Sequence, residues 1–178
     1  MSDTFIHPTA EVSDSAHIGK GTTIWHQSQV REGACIGKNC NLGKGVYIDK
    51  AVTIGNDCKI QNYACVYQGV TIKDKVFIGP HAVFTNDMYP RSWLWSEDRL
   101  KKTVVEDGAS IGANATIVCG ITIGKYALVG AGAVITKDVP AYGLVTGNPG
   151  TLKGYVCSCG HPLKGSTCPV CGKSVKVK

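Results

Sequence analysis

No stretch of this sequence approaches the ~20 consecutive apolar residues that a membrane-spanning helix needs. The first ten residues, Met1 to Ala10, lack the basic start and the apolar core of a signal peptide, so the expectation is a cytoplasmic protein with no membrane partner. Charge is also scarce. Asp, Glu, Lys and Arg make up 18 % of 178 residues, which suits a molecule that hides part of its surface by self-association. Lys and Arg are scattered and no basic run occurs, so the net charge of +6 does not call for nucleic acid, and a small anionic ligand would balance it as well. Histidine is missing from the whole stretch between His81 and His161, which removes chemistry that needs several imidazoles on the later part of the chain.

What the sequence has instead is an aliphatic or aromatic residue every six positions. Ile6, Val12, Ile18, Ile24, Val30, Ile36, Leu42, Ile48, Ile54, Ile60, Val66, Ile72, Ile78 and Phe84 follow one another without a miss. After a break the register resumes as Val105, Ile111, Ile117, Ile123, Val129 and Ile135. Two residues before many of these sits a small residue, such as Ala34, Cys40, Ala109 or Ala133. Gly or Asn recurs three before, as in Gly21, Gly33, Asn39 and Gly108, where a turn can take positive φ at little cost. Neither the helix period of 3.6 nor the strand period of 2 gives this spacing; a period of six is that of a stacked β-solenoid. The expectation is an all-β parallel β-helix of about seven coils, 18 residues to a triangular coil, with apolar columns inside.

The break from Phe84 to Val105 is a step of 21 residues, read as three hexads plus three, so a loop over residues 85–103 must leave the coil. It holds two of the three tryptophans, Trp93 and Trp95. A long loop on a rigid solenoid commonly carries function, and packing over a neighbour is the plainer role. The nine cysteines divide. Five fall within the repeat, where Cys40 and Cys58 read as compact hydrophobes; Cys157, Cys159, Cys168 and Cys171 crowd the end. Cys-Ser-Cys-Gly and Cys-Pro-Val-Cys-Gly are two knuckles of zinc-ribbon type, expected to hold a structural Zn²⁺ through four thiolates, with His161 as a substitute ligand and two redox pairs as the alternative. The chain thus divides into a solenoid over 1–150 and a linker with a zinc-ribbon-like tail over 151–178.

Several segments narrow the reading. Ile24-Trp25-His26, Ile60-Gln61-Asn62, Phe84-Thr85-Asn86-Asp87 with Pro90-Arg91, and Val118-Cys119-Gly120 through Val134 resemble the hexapeptide-repeat N-acetyltransferases of nucleotide-linked 3-amino sugars, over about 150 residues. That resemblance implies a left-handed β-helix and a homotrimer with active sites in the grooves between solenoids. It implies acetyl-CoA as co-substrate along the later coils, and a UDP- or dTDP-linked amino sugar beside the loop, in surface glycan precursor synthesis. A γ-type carbonic anhydrase shares the fold, but the missing late histidines exclude its metal site. A non-catalytic scaffold with a partner-binding ribbon, or another small acyl acceptor, remains as an alternative.

Acyl transfer to an amine needs an unprotonated amine, a nearby thioester carbonyl and a donor for the oxyanion. The resemblance puts Asn86 first, to accept from the amine or donate toward the carbonyl oxygen; closing a loop turn is its plainer role. His81, five residues before Asn86, is the candidate general base, or a plain turn residue. His26, Gln61, Asn62, Asp87 and Arg91 are expected at the nucleotide sugar. Stacking on Trp25 is the alternative for His26, and a solvated loop cation is the alternative for Arg91. His26 and Asn62 lie 36 residues apart, two coils, and so share a face at roughly 10 Å spacing. Ala113, Ala131, Lys137 and Pro149 are expected along acetyl-CoA.

Overall fold

The computed structural model describes residues 3–176. It is a parallel β-solenoid of about eight turns, with a single 3₁₀ turn at Glu97–Arg99 as its helical content among the described residues. Three sheets form its faces. The first has nine strands, opening with Phe5–Ile6, Thr23–Ile24 and Asn41–Leu42. The second has seven, from Glu11–Val12 to Val134–Ile135, and the third has six, from His17–Ile18 to Thr122–Ile123. Phe5 pairs with Thr23, Thr23 with Asn41, and Asn41 with Lys59, so each coil is 18 residues, as the period requires.

Most strands are two residues long, because the second residue of each points inward and the next turn begins at once. Ile24, Leu42, Ile48, Ile54, Ile60, Ile72, Ile78, Phe84, Ile111, Ile117 and Ile123 form buried columns. Burying each such side chain contributes roughly 1.5–3 kcal/mol. The small residue two before it is also buried, and where it is polar it finds a carbonyl fifteen residues on. The Thr22 and Ser28 hydroxyls donate to Gly37 O and Gly43 O, and the Cys40 and Cys58 thiols donate to Gly55 O and Lys73 O. These cysteines act as small side chains with one weak donor. The turn position three before most inward residues holds positive φ, near +57° where it is not glycine, as at Asn39, Tyr63, His81 and Asn114. There the backbone N–H donates to the coil beneath, as Tyr63 to Lys44 O and His81 to Asn62 O, which holds the left-handed turn.

The coil count exceeds seven because Gly143–Thr146 adds a turn without a hexad: Leu128 pairs with Leu144, off the 18-residue step. The loop also differs from its expected register. Val70 pairs with Thr103, Phe77 with Ser110 and Val83 with Thr116, so one coil of 18 gains an insertion of 15. The step of 21 is therefore one hexad plus that insertion. The loop is ordered within itself by an Asp87–Leu100 bridge and by Arg99, whose guanidinium donates to Asp87 Oδ2 at 2.8 Å and also reaches Tyr89 O. Thr151–Tyr155 turns back antiparallel on Gly143–Thr146 and carries the tail, where Cys157, Cys168 and Val175 pack with Tyr142 and Leu163. No helix is long and apolar enough to cross a membrane.

Candidate functional site

A three-sided coil has three edges, and the expected site residues fall on two of them. Each edge carries the residue two after an inward one. Between the first and second sheets that column reads His26, Lys44, Asn62, Pro80, Ala113 and Ala131. Between the second and third it reads Glu32, Lys50, Gln68, Asn86, Cys119 and Lys137. The two edges flank the seven-stranded sheet. We call them the histidine edge and the loop edge.

On the histidine edge a cleft of about 270 Å³ is lined by Trp25, His26, Asn41, Gly43, Lys44, Gln61 and Asn62. It brings together three of the expected substrate contacts, His26, Gln61 and Asn62. The Trp25 indole donates to Asn41 Oδ1 at 2.9 Å, which fixes the wall. Asn62 Oδ1 accepts from Lys44 N at 2.9 Å, leaving its amide N–H groups for a ligand. A Cβ at Gly43 would lie 2.4 Å from that oxygen, so only glycine fits there. His26 is not simply stacked on Trp25. Its ring lies 3.5 Å from His7 centroid to centroid, while the Trp25 ring is 6.2 Å away. His81 sits one turn position farther along the same edge, exposed, with its ring on Tyr63 at 5.1 Å. Ala113 and Ala131 occupy the later coils of this edge, and the Gly132 N–H donates to Ala113 O. The edge thus passes from aromatic and polar side chains to a bare strip of backbone.

The loop edge holds Asn86 where the chain departs. Its backbone oxygen accepts from Lys101 N, and its side-chain amide has no partner among the described residues. Thr85 next to it accepts from Cys119 N. Asp87 is engaged inside the loop: both carboxylate oxygens face Arg99, and the Tyr89 N–H donates to Oδ1. Those bonds hold its carboxyl below the ordinary carboxylate range, the Arg99 guanidinium foremost. Arg91 is exposed, with one donor turned to Pro90 O. Trp93 and Trp95 are 79 % and 55 % exposed, so within one chain the loop covers nothing with them. Lys137 and Pro149 are exposed near the last coils.

Beneath the loop the sequence reading missed a carboxylate. Asp49 is buried and accepts from the Tyr47 hydroxyl, Lys50 N and Gln68 N, with Arg31 at 3.7 Å. Burial first of all pushes the Tyr47 phenol up. Lys50 also reaches Glu97 at 3.5 Å and so tethers the loop to this edge. The signal was present as Asp49 one after Ile48, a position that holds glycine in eight of the twenty hexads.

The third edge carries no expected site residue. It is a ladder in which Asn56, Asp74 and Asp107 each accept from a backbone N–H of the coil beneath, at Lys38, Asn56 and Asp74. The cysteine tail folds against this edge, with a cleft of about 370 Å³ between Val156–Gly160 and Lys75, Ser110 and Tyr126. The four sulfurs of Cys157, Cys159, Cys168 and Cys171 lie within 4.8 Å of one another. Cys157 and Cys171 are 3.4 Å apart and Cys159 and Cys168 are 3.6 Å apart, too far for disulfides. A tetrahedral Zn²⁺ with ~2.3 Å bonds sets sulfurs about 3.8 Å apart, which these nearly match. The Cys159 N–H directed at it draws the Cys157 thiol down to about 6. His161 lies beside Cys159, 3.6 Å from its sulfur, and takes no corner of the set.

Residues 15–50, 51–86 and 102–137 match the sequence family of bacterial transferase hexapeptide proteins (six repeats). The chain belongs to the bacterial transferase hexapeptide family. Within the family it is 49 % identical over 160 residues to the dTDP-3-amino-3,6-dideoxy-α-D-galactopyranose 3-N-acetyltransferase of Aneurinibacillus thermoaerophilus, covering 90 % of this chain and 82 % of that one. Its fold is similar to a variant of the GDP-perosamine N-acetyltransferase of Caulobacter crescentus, solved with CoA and GDP-perosamine. The TM-score is 0.58 at 25 % identity, covering 86 % of this chain and 57 % of that one. A hexapeptide-repeat acetyltransferase of Vibrio cholerae, solved with acetyl-CoA, gives 0.58 at 27 % identity, covering 69 % and 70 %.

Proposed function

We propose that this protein transfers an acetyl group from acetyl-CoA to the amino group of a nucleotide-linked amino sugar. The observation that carries the reading is the 49 % identity to a dTDP-3-amino sugar N-acetyltransferase over nine-tenths of the chain. The polar-to-small gradient on the histidine edge is consistent with it. His26, Gln61 and Asn62 face the nucleotide sugar, and the Ala113–Ala131 strip admits the pantetheine arm to backbone N–H and C=O groups, with Lys137 and Pro149 near its nucleotide end. The amine attacks the thioester carbonyl, the oxyanion forms, and the thiol leaves with a proton. The Asn86 amide donates to the oxyanion, and His81 takes the amine proton.

His81 and Asn86 lie on different edges of one chain, so this chemistry needs a second copy. A homotrimer that sets the histidine edge of one solenoid against the loop edge of its neighbour brings them together and covers Trp93 and Trp95. Arg91 then reaches the substrate from the neighbouring loop. Thiol release from acetyl-CoA across a panel of nucleotide amino sugars tests the reading. Asn86→Ala is expected to lower turnover about 10²–10³-fold, as loss of an oxyanion donor does; unchanged turnover removes Asn86 from the mechanism.

The tail is the second part of the proposal. Cys157, Cys159, Cys168 and Cys171 hold a structural Zn²⁺, which supplies the folding energy that so few residues lack.

A further inference from the structure

His7, on the first coil, is 19 residues before His26, one 18-residue coil plus one, so it lies a coil below and one residue out of register. Its ring lies face to face with that of His26, centroids 3.5 Å apart at 27°. Aromatic pairs ordinarily keep 4.5–7 Å, so this is close contact, and it fixes the plane of the upper ring. His7 is itself held. The Thr9 backbone N–H donates to His7 Nδ1 at 3.2 Å, and Thr9 Oγ1 lies 2.9 Å from the same nitrogen. The Thr9 N–H makes Nδ1 an acceptor, so the Thr9 hydroxyl, which itself accepts from the Gln27 N–H at 3.1 Å, donates its proton to that nitrogen. A nitrogen that accepts from two donors carries no proton, which places the hydrogen of His7 on Nε2 and keeps the ring neutral. Lost hydration, and then the neighbouring His26, favour that neutral form.

The relay Gln27 N–H to Thr9 to His7 thus ties the turn after His26 to the ring beneath His26. Neither ring nitrogen of His26 has a partner among the described residues, and the ring borders the cleft of Gln61 and Asn62. Lys44 shares the cleft with His26, and Glu11, whose carboxylate accepts from Gln29, lines a neighbouring cleft with Thr9 and Gln27.

We propose that His7, anchored by Thr9, is a positioning residue that sets the ring of His26 to bind the nucleotide sugar. The proposal rests on the reading of His26 as a substrate contact, and its test separates the two. His7→Ala, His7→Phe and Thr9→Val are compared by KM for the nucleotide amino sugar, KM for acetyl-CoA, and imidazole NMR of the full chain. His7→Ala is expected to raise the sugar KM roughly five- to tenfold, in line with the loss of one aromatic pair, with the acetyl-CoA KM unmoved. His7→Phe keeps a ring in place and restores most of that loss, and Thr9→Val falls between. In the NMR spectra His7 is the Nε2-protonated tautomer, and the ring-current shift of His26 persists with Phe and vanishes with Ala. A sugar KM unchanged by His7→Ala, equal damage from Phe and Ala, or an Nδ1-protonated His7 overturns the proposal. Should the wild type acetylate no nucleotide sugar, the functional reading fails, and the NMR spectra alone decide whether His7 positions His26.

Discussion

The solenoid and the tail reach order by opposite means. The solenoid repeats one solution, in which each coil buries the same inward column and hands its backbone hydrogen bonds to the next, so no single residue holds it. The tail has a core of Cys157, Cys168 and Val175 with two flanking side chains, and four sulfurs at its centre. The two also differ in charge: the last forty residues contain no Asp or Glu at all. An additive structure tolerates local damage, whereas one built on a single centre does not.

Removing the proposed zinc is the strongest way to break that comparison. Chelation, or Cys168→Ser, is expected to abolish the tail's protease resistance while the far-UV spectrum of the solenoid is kept. Structural zinc contributes on the order of 10–16 kcal/mol in small units of this kind. Unchanged tail resistance after metal loss would falsify the zinc assignment. A smaller effect probes the other side. Ile60 is fully buried, and Ile60→Ala is expected to cost about 2–5 kcal/mol, lowering the melting temperature of the solenoid without changing metal content. The smallest effect concerns the loop. The Asp87 carboxyl is depressed below its ordinary 3.8 by Arg99 and the Tyr89 N–H. The clamp's contribution is therefore present above that ordinary value and is lost as pH falls through the depressed one. Acidification should change Trp93 and Trp95 fluorescence before the solenoid unfolds; a loop signal that shifts only with global unfolding contradicts the clamp.

The repeat was legible because a stacked coil leaves a one-dimensional trace. The inward Ile, Val and Leu are set by burial alone. Gly or Asn marks part of the left-handed turn positions; the rest are held by residues such as Tyr63, Lys75 and His81, which the period alone does not announce. The insertion was harder to read. Arg99 closes on Asp87 across twelve residues, a contact that no period announces. Asp49 escaped notice because its burial depends on Tyr47, Gln68 and Arg31, which come from three coils. His7 lies on the first coil, far from the loop along the chain. Its separation from His26 by one coil was visible in the numbering, but the relevant neighbour was an edge rather than the loop. The gathering of His26, Gln61 and Asn62 in one cleft follows from the 18-residue period. That Asn86 and Lys137 lie on a different edge follows only once each hexad is assigned to a sheet.

That division of the edges is the central claim, and mixing tests it most directly. His26→Ala and Asn86→Ala proteins are unfolded together, refolded and assayed for thiol release from acetyl-CoA with a nucleotide-linked amino sugar. If one chain's histidine edge works against its neighbour's loop edge in a closed ring, about one quarter of the sites in random mixtures are intact and activity returns to that level. If each chain holds a whole site, no mixed assembly contains an intact one, and the mixture stays as inactive as its parts.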